Sequence, residues 1–413
     1  MLDIKLIETA RKNIAGVADT TPLTKSQNLS EQYQADIWLK REDLQKVRSY
    51  KIRGAYNKIS QLTTEEQAQG VVCASAGNHA QGVAYACQKL EIKGKIFMPH
   101  TTPKQKVNQV RMFGKDQVKV ILSGDNFDIA YEDALLESRQ NQHVFIHPFD
   151  DELVMAGQGT TAAEILEQAI ESPEIIFVPV GGGGLAAGMG SYLKTILPAC
   201  QIVGVEPAGA PAMKKSLEAG AVITLDEIEK FVDGAAVKRV GDQTFAICRE
   251  ILDDMLLVPE GKVCTTMLKL YNEEAMVVEP AGALTIAALD FYREHIKGKR
   301  VVCVVSGGNN DIIRMEDIKE RSLLYEGLKH YFIIRFPQRA GTLKEFLVNV
   351  LGPDDDITRF EYTKKNNREN GPALVGIELK HKNDFEALLE RMRRYHINYQ
   401  ELRDYPDIFN LLV

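Results

Sequence analysis

The chain has 413 residues, 45% of them hydrophobic and 26% charged, which excludes disordered and collagen-like architectures and leaves room, at about 100–200 residues per domain, for two or three folded units. Fifty Lys and Arg against 57 Asp and Glu give a net charge of −7, with no basic surplus for general nucleic-acid binding. The six cysteines are dispersed without CxxC spacing, a pattern that fits reduced, buried thiols and a cytoplasmic protein.

The opening MLDIKLIETARKNIAGV sets Ile4, Ile7 and Ile14 at helical spacing among charges, which predicts a surface helix rather than a signal peptide. From about 71 to 313, short β-branched runs (VVCAS, KIFMPH, VKVIL, IIFVPV, QIVGVE, RVVCVVS) alternate with helical patterns. That alternation predicts an α/β fold with parallel strands, buried on both faces by helices, and ligands beyond the carboxyl ends of the strands. The longest nearly apolar stretch, 280–289, is about half the roughly 20 residues a membrane helix needs, so no membrane partner is expected. The charged segment MEDIKERSLLYEGL then breaks the pattern. Beyond it the order reads β-α-β-β-α-β, with strands at 330–336, 357–363, 374–379 and 397–402. The first helix carries Leu343, Phe346, Leu347, Val350 and Leu351, the second Phe385, Leu388, Leu389 and Met392, and Thr342 with Glu345 and Asn383 with Glu386 are their expected caps.

Three strand ends carry chemistry. Gly181, Gly182, Gly183, Gly184 and Leu185 lie between a buried strand and a helix; such a turn lets backbone amides converge on an anion, with the helix dipole favouring negative charge. No Lys-Ser/Thr follows, so it is not a triphosphate P-loop. Gly181, Gly183 and Ala186 also satisfy GxGxxA, with Glu206 near the place of a ribose-binding acid, which keeps a dinucleotide fold open; a turn built only for close packing is the plainer alternative. Ser306-Gly307-Gly308-Asn309 is a weaker turn of the same type. Ser75, Ala76, Gly77, Asn78 and His79 run directly into a helix, where free amides suit a carboxylate. Together the three ends suggest a phosphate-bearing ligand and a second anionic substrate. Lys51, at the start of a helix, is on spacing alone an ordinary solvated lysine. The eight histidines show no HExxH and no metal spacing, and no GxSxG occurs, so neither a metal nor an acyl-serine is expected.

SYKIRGA, ASAGNHAQG, GGGGL, EPAGA and SGGN, in that order, resemble the pyridoxal-phosphate-dependent threonine dehydratases of the tryptophan-synthase-β-like fold. The tail, with RFPQRAGTLKEFL, DITRFEY and ALVGIEL, resembles the ACT-like, ferredoxin-type regulatory domain of the biosynthetic members. The resemblance covers nearly the whole chain. It implies a fold type II catalytic domain over 1–320 with a smaller mobile subdomain at about 53–150, a linker at 321–326 and the regulatory domain at 327–413. It implies Lys51 as the Schiff-base lysine and catalytic base, the loop from Gly181 to Leu185 as the holder of the cofactor phosphate, Asn78 as partner of the ring 3′-oxygen and Ser306 as partner of the pyridine nitrogen. The substrate carboxylate would lie on the amides of Ser75, Ala76, Gly77, Asn78 and His79. A neutral serine at the pyridine nitrogen makes the ring a milder electron sink, which favours β-elimination over transamination.

The implied activity is threonine ammonia-lyase, giving 2-oxobutanoate and ammonia at the first step of isoleucine synthesis, with isoleucine as inhibitor, valine as activator and a homotetrameric assembly. The sequence departs from the family at three places. Tyr50 stands where phenylalanine is frequent, Ala212 stands where cation-binding relatives carry an aspartate six residues after the glutamate matched by Glu206, and the length allows one regulatory unit rather than two. Competing readings are a serine dehydratase or racemase of the same fold and a non-catalytic amino-acid sensor.

Overall fold

Each of the six β-branched runs forms a strand, but they divide between two sheets. In a computed structural model, which describes residues 1–362 and 369–412, the chain forms two units, Met1–Ile312 and Ile313–Val413. In the first unit a six-stranded sheet runs in the order Leu23–Lys25, Asp36–Arg41, Arg300–Val305, Ile175–Pro179, Gln201–Pro207, Asp254–Val258. All neighbours are parallel except the first pair. A four-stranded parallel sheet follows the order Val118–Leu122, Gly94–Met98, Val71–Ala74, Val144–Phe145. Strands such as Ile175–Pro179 are buried at every position, the signature of a sheet covered on both faces. Val118–Leu122, at an edge, is only partly buried.

The N-terminal helix Ile4–Ile14 buries Ile7, Ala10 and Ile14 on one face, and the Asp3 side chain caps it through the Lys5 amide. It packs on helix Glu152–Gln168. Strands Asp36–Arg41 and Asp254–Val258 had no β-branched run to announce them: DIWLKR and DMLLV gain their strand character from pairing with a neighbour in the sheet.

In the second unit the strands Lys329–Pro337, Asp356–Tyr362, Asn370–Glu378 and Asn398–Glu401 form an antiparallel sheet, with helices Thr342–Asn349 and Asp384–Arg394 between them in the expected β-α-β-β-α-β order. Phe332, Ile334, Phe346, Val375, Leu388 and Met392 form its core. Thr363, read from sequence as the end of the second strand, lies outside the described residues. Three local expectations are corrected. The stretch 321–326, read as a linker, is the second half of helix Met315–Glu326, and this helix is anchored within its own unit by bonds from Tyr331 (2.6 Å) and Lys329 (2.5 Å) to Glu320. Thr342 does not cap its helix: its hydroxyl donates to the carbonyls of Pro337 and Arg339, both at 3.1 Å, and Glu345 pairs with Arg339 instead. Asn383 occupies the cap position but is itself in helical conformation and makes no capping bond, since that role needs an extended residue. Among the described residues no helix is long and apolar enough to cross a membrane.

Beneath helix Lys51–Ile59 lies a buried charge quartet. Arg53 donates to both oxygens of Glu42 at 2.8 Å and to Glu164 at 2.6 and 2.8 Å, and Lys40 donates to Glu164 at 2.6 Å and to the Thr21 carbonyl at 2.7 Å. Arg53, Lys40 and Glu42 are fully buried. Burial pushes the Glu42 carboxyl up, but Arg53 and Lys40 outweigh it and hold the group below the usual carboxylate range. Removing one partner of such a network leaves an uncompensated buried charge. Arg53→Met should therefore destabilise the protein by about 3–5 kcal/mol, measured by chemical denaturation with circular dichroism.

Candidate active site

The helix Lys51–Ile59 begins where two strand ends meet. Asp36–Arg41 and Arg300–Val305 are parallel neighbours, and the segments leaving them are tied together: Tyr50 N donates to Ser306 O at 3.2 Å, Gly308 N donates to Arg48 O at 2.8 Å, and Ser49 pairs with Gly307. Arg48 takes a left-handed conformation, φ +58°, which turns the chain into the helix.

Lys51 is half-buried. Its Nζ donates to the Pro148 carbonyl at 2.7 Å and lies 5.3 Å from the centroid of the Tyr50 ring. Burial lowers the Lys51 amine to about 8, with the nearby Glu279 carboxylate opposing. Two imidazoles in this neighbourhood are neutral. Burial, and next the Lys51 charge, bring His79 down to about 3; its Nε2 lies 2.9 Å from the Ile146 carbonyl and therefore carries the proton. His147 is lowered by burial to about 4, and its Nδ1 accepts the amides of Phe149 (3.2 Å) and Asp150 (2.7 Å).

The segment that holds Lys51 also reaches the four-glycine turn. A Cβ on Gly182 would lie 2.3 Å from the Phe149 ring, so only glycine lets this turn lie against Phe149. Gly183 has φ +93° and is the N-cap of helix Gly184–Ile196, with no side-chain cap, so the first-turn amides remain free of a side-chain acceptor. Thr244 Oγ1 donates to Gly182 O at 2.6 Å, and Asp150 accepts the amides of Gln243 and Thr244 at 3.0 Å, fastening the far side of the turn. Leu185 is buried.

The third strand end completes the cluster. Helix Asn78–Leu90 has Gly77 as N-cap, again without a side-chain cap; Ser75 Oγ accepts the Gly77 amide at 3.2 Å, and Ala76 lies between them. A Cβ on Gly82 would come within 3.0 Å of Lys51 O, so this helix rides directly on the Lys51 backbone. Asn78 Nδ2 donates to Glu279 Oε1 at 2.6 Å, and Asn78 Oδ1 accepts from Asn309 Nδ2. Ser306 is 2% exposed. Ser49 Oγ, His79 Nδ1 and Asn309 Oδ1 are buried without a hydrogen-bond partner among the described residues. The structure thus gathers Lys51, the glycine turn, the 75–79 segment and Ser306 through shared contacts.

Pro148, Phe149 and Glu279 are the neighbours that sequence reading missed. EPAGA occurs twice, at 206–210 and 279–283, and the two copies differ in use. Glu206 accepts the amides of Met213 (2.7 Å) and Lys214 (2.9 Å) in helix Ala212–Ala219, while Glu279 meets Asn78. Burial lifts Glu206 to about 8 against those amide bonds. Among the described residues, no three His, Cys, Asp or Glu side chains are grouped to hold a metal.

Comparison with known proteins extends this picture. Residues 14–307 match the family model described as pyridoxal-phosphate dependent enzyme, and residues 320–412 that of the C-terminal regulatory domain of threonine dehydratase. The L-threonine dehydratase biosynthetic IlvA of Bacillus subtilis (strain 168) is 59% identical over 413 residues, 100% of this chain and 98% of that protein. The processed form of threonine deaminase isoform 2 from Solanum lycopersicum superposes with a TM-score of 0.73 at 41% identity, covering 78% of this chain and 94% of that one. Maize serine racemase gives 0.72 at 32% identity, covering 78% and 98%. With these matches the dinucleotide-fold reading of Gly181, Gly183, Ala186 and Glu206 falls away. The chain belongs to the pyridoxal-phosphate-dependent enzymes of fold type II and, within them, to the biosynthetic threonine dehydratase family.

Proposed function

We propose that this protein converts L-threonine to 2-oxobutanoate and ammonia, the first step of isoleucine synthesis, and that isoleucine inhibits it through the C-terminal domain. The observation that carries the reading is Lys51: a half-buried amine lowered to about 8 and held by a carbonyl rather than an acid, beside a segment packed on the four-glycine turn.

The residues fit the cofactor. Gly181, Gly182, Gly183, Gly184 and Leu185 offer neutral amide donors at an uncapped helix start, which suits a phosphate. Asn78 and Ser306 would hold the ring oxygen and the pyridine nitrogen. Bound there, pyridoxal phosphate supplies the electron sink that a carbanion at the amino-acid Cα requires. Lys51 Nζ takes the α-proton as general base, a role suited to an amine that is partly neutral near pH 8. The amides of Ser75, Ala76, Gly77, Asn78 and His79, at a helix start whose N-cap Gly77 offers no side-chain acceptor, receive the substrate carboxylate. Threonine loses water and ammonia is released as water returns, so the balance closes on 2-oxobutanoate. The six free, buried thiols support a reducing cytoplasmic location, and the family resemblance supports valine as activator and a homotetramer.

The likeness to serine racemase favours serine as the rival substrate, because one methyl in an apolar pocket is worth only about 1–3 kcal/mol. Turnover of threonine well above serine is the expected result, and the reverse would assign the rival activity. Lys51→Ala should lower threonine turnover by about 10²–10⁴-fold or more and remove the visible absorption of the bound cofactor; full turnover would overturn the reading. Capture of pyridoxal phosphate by apo-protein needs the neutral amine, so its rate should climb as pH rises through about 8 and then level off, as stopped-flow absorbance would record. Coupling between effector and substrate sites is reciprocal. Deleting residues beyond Ile312 should therefore leave threonine turnover insensitive to isoleucine, and unchanged inhibition would remove the regulatory assignment.

A further inference from the structure

Asn78 is a two-faced amide: its Nδ2 carries two N–H donors and its Oδ1 two acceptor sites. Which edge faces a ligand depends on what holds the other atoms. Here Oδ1 accepts from Asn309 Nδ2, and one Nδ2 hydrogen goes to Glu279 Oε1 at 2.6 Å, which leaves one N–H to point elsewhere. Glu279 is 5% exposed and is fixed from several directions. Its backbone N–H donates to Gly307 O at 3.2 Å, the backbone N–H of Asn309 donates to its carboxylate, and a Cβ on Gly307 would lie 2.4 Å from Oε1. The second position of SGGN is therefore glycine because the carboxylate occupies that space.

Resting on the cofactor site proposed above, we propose that Glu279 is a positioning residue that acts through Asn78, fixing the amide so that its remaining N–H faces the cofactor ring oxygen. An ionised carboxylate can only accept hydrogen bonds. It thus admits one orientation of Asn78, whereas a glutamine could turn its own amide and accept either. Burying a carboxylate is costly, and a neutral residue of the same shape would avoid that cost, so the acceptor-only character is what the charge contributes. Charges around Glu279 act in both directions. After burial, Asp233 lifts the group and Lys106 lowers it, and the balance lies at about 7; Lys106 and Asp233 are themselves paired at 2.5 Å. Lys51 is the further cation that senses Glu279. Above about pH 7 the acceptor-only form prevails.

The test is a double-mutant cycle on the full-length protein, above about pH 7, with the dissociation constant of pyridoxal phosphate as readout and circular dichroism to check folding. Asn78→Ala and Glu279→Ala should each weaken cofactor binding about tenfold. The double variant should be no weaker than the poorer single one, because partners in one network are non-additive. Glu279→Gln, which preserves shape if the alanine variant fails to fold, should fall between wild type and Glu279→Ala. Multiplying losses in the double variant, or wild-type affinity in both Glu279 variants, would overturn the proposal while leaving the cofactor site intact. Wild-type protein that binds no pyridoxal phosphate would overturn both.

Discussion

A lysine amine serves as nucleophile and base near neutral pH only where its charge is made costly without being locked in an ion pair. Lys51 meets that condition through a bond to the Pro148 carbonyl, a neutral acceptor that orients Nζ without strongly favouring the ammonium form. Burial does the rest, and the Glu279 carboxylate opposes it. The imidazoles of His79 and His147 are held neutral nearby, so neither competes as a cation. The other elements of the site follow from placing this one amine: the strand ends that meet at residues 48–51, the segment 147–150, and the glycine turn that Phe149 presses against.

Two residues beyond Lys51 the same helix carries Arg53, whose surroundings are opposite in kind. Arg53 is fully buried between Glu42 and Glu164 with hydrogen bonds to both. The quartet joins the loop after strand Asp36–Arg41 to helix Glu152–Gln168, and it therefore sets the rotation of the helix that presents Lys51. Such an ionic cluster contributes little net stability compared with a well-packed apolar one, but it tolerates only one arrangement, and a catalytic amine needs a fixed address.

The two EPAGA copies show how little a motif says about use when its partners come from elsewhere. In the first, Glu206 faces a helix start seven and eight residues later in the chain, a local capping role. In the second, Glu279 reaches a residue 201 positions away. Identical pentapeptides acquire different chemistry because the neighbour, not the segment, supplies the donor.

Much of the architecture was legible in the residues themselves. Six β-branched runs became strands, the tail became the expected β-α-β-β-α-β unit, and the glycine turn, the 75–79 segment and Ser306 stood out because backbone amides at helix starts are a local property of consecutive residues. What stayed hidden was decided through space. The caps at Thr342 and Asn383 failed because other hydrogen bonds and backbone angles took precedence, and the helix Met315–Glu326 replaced a linker because Tyr331 and Lys329 supply Glu320 with partners. The Pro148 carbonyl, the Phe149 ring and the Glu279 carboxylate are ordinary residues in sequence. Their roles arise from desolvation and from hydrogen bonds between segments tens to hundreds of positions apart, which are set only when the sheets bring their carboxyl ends together.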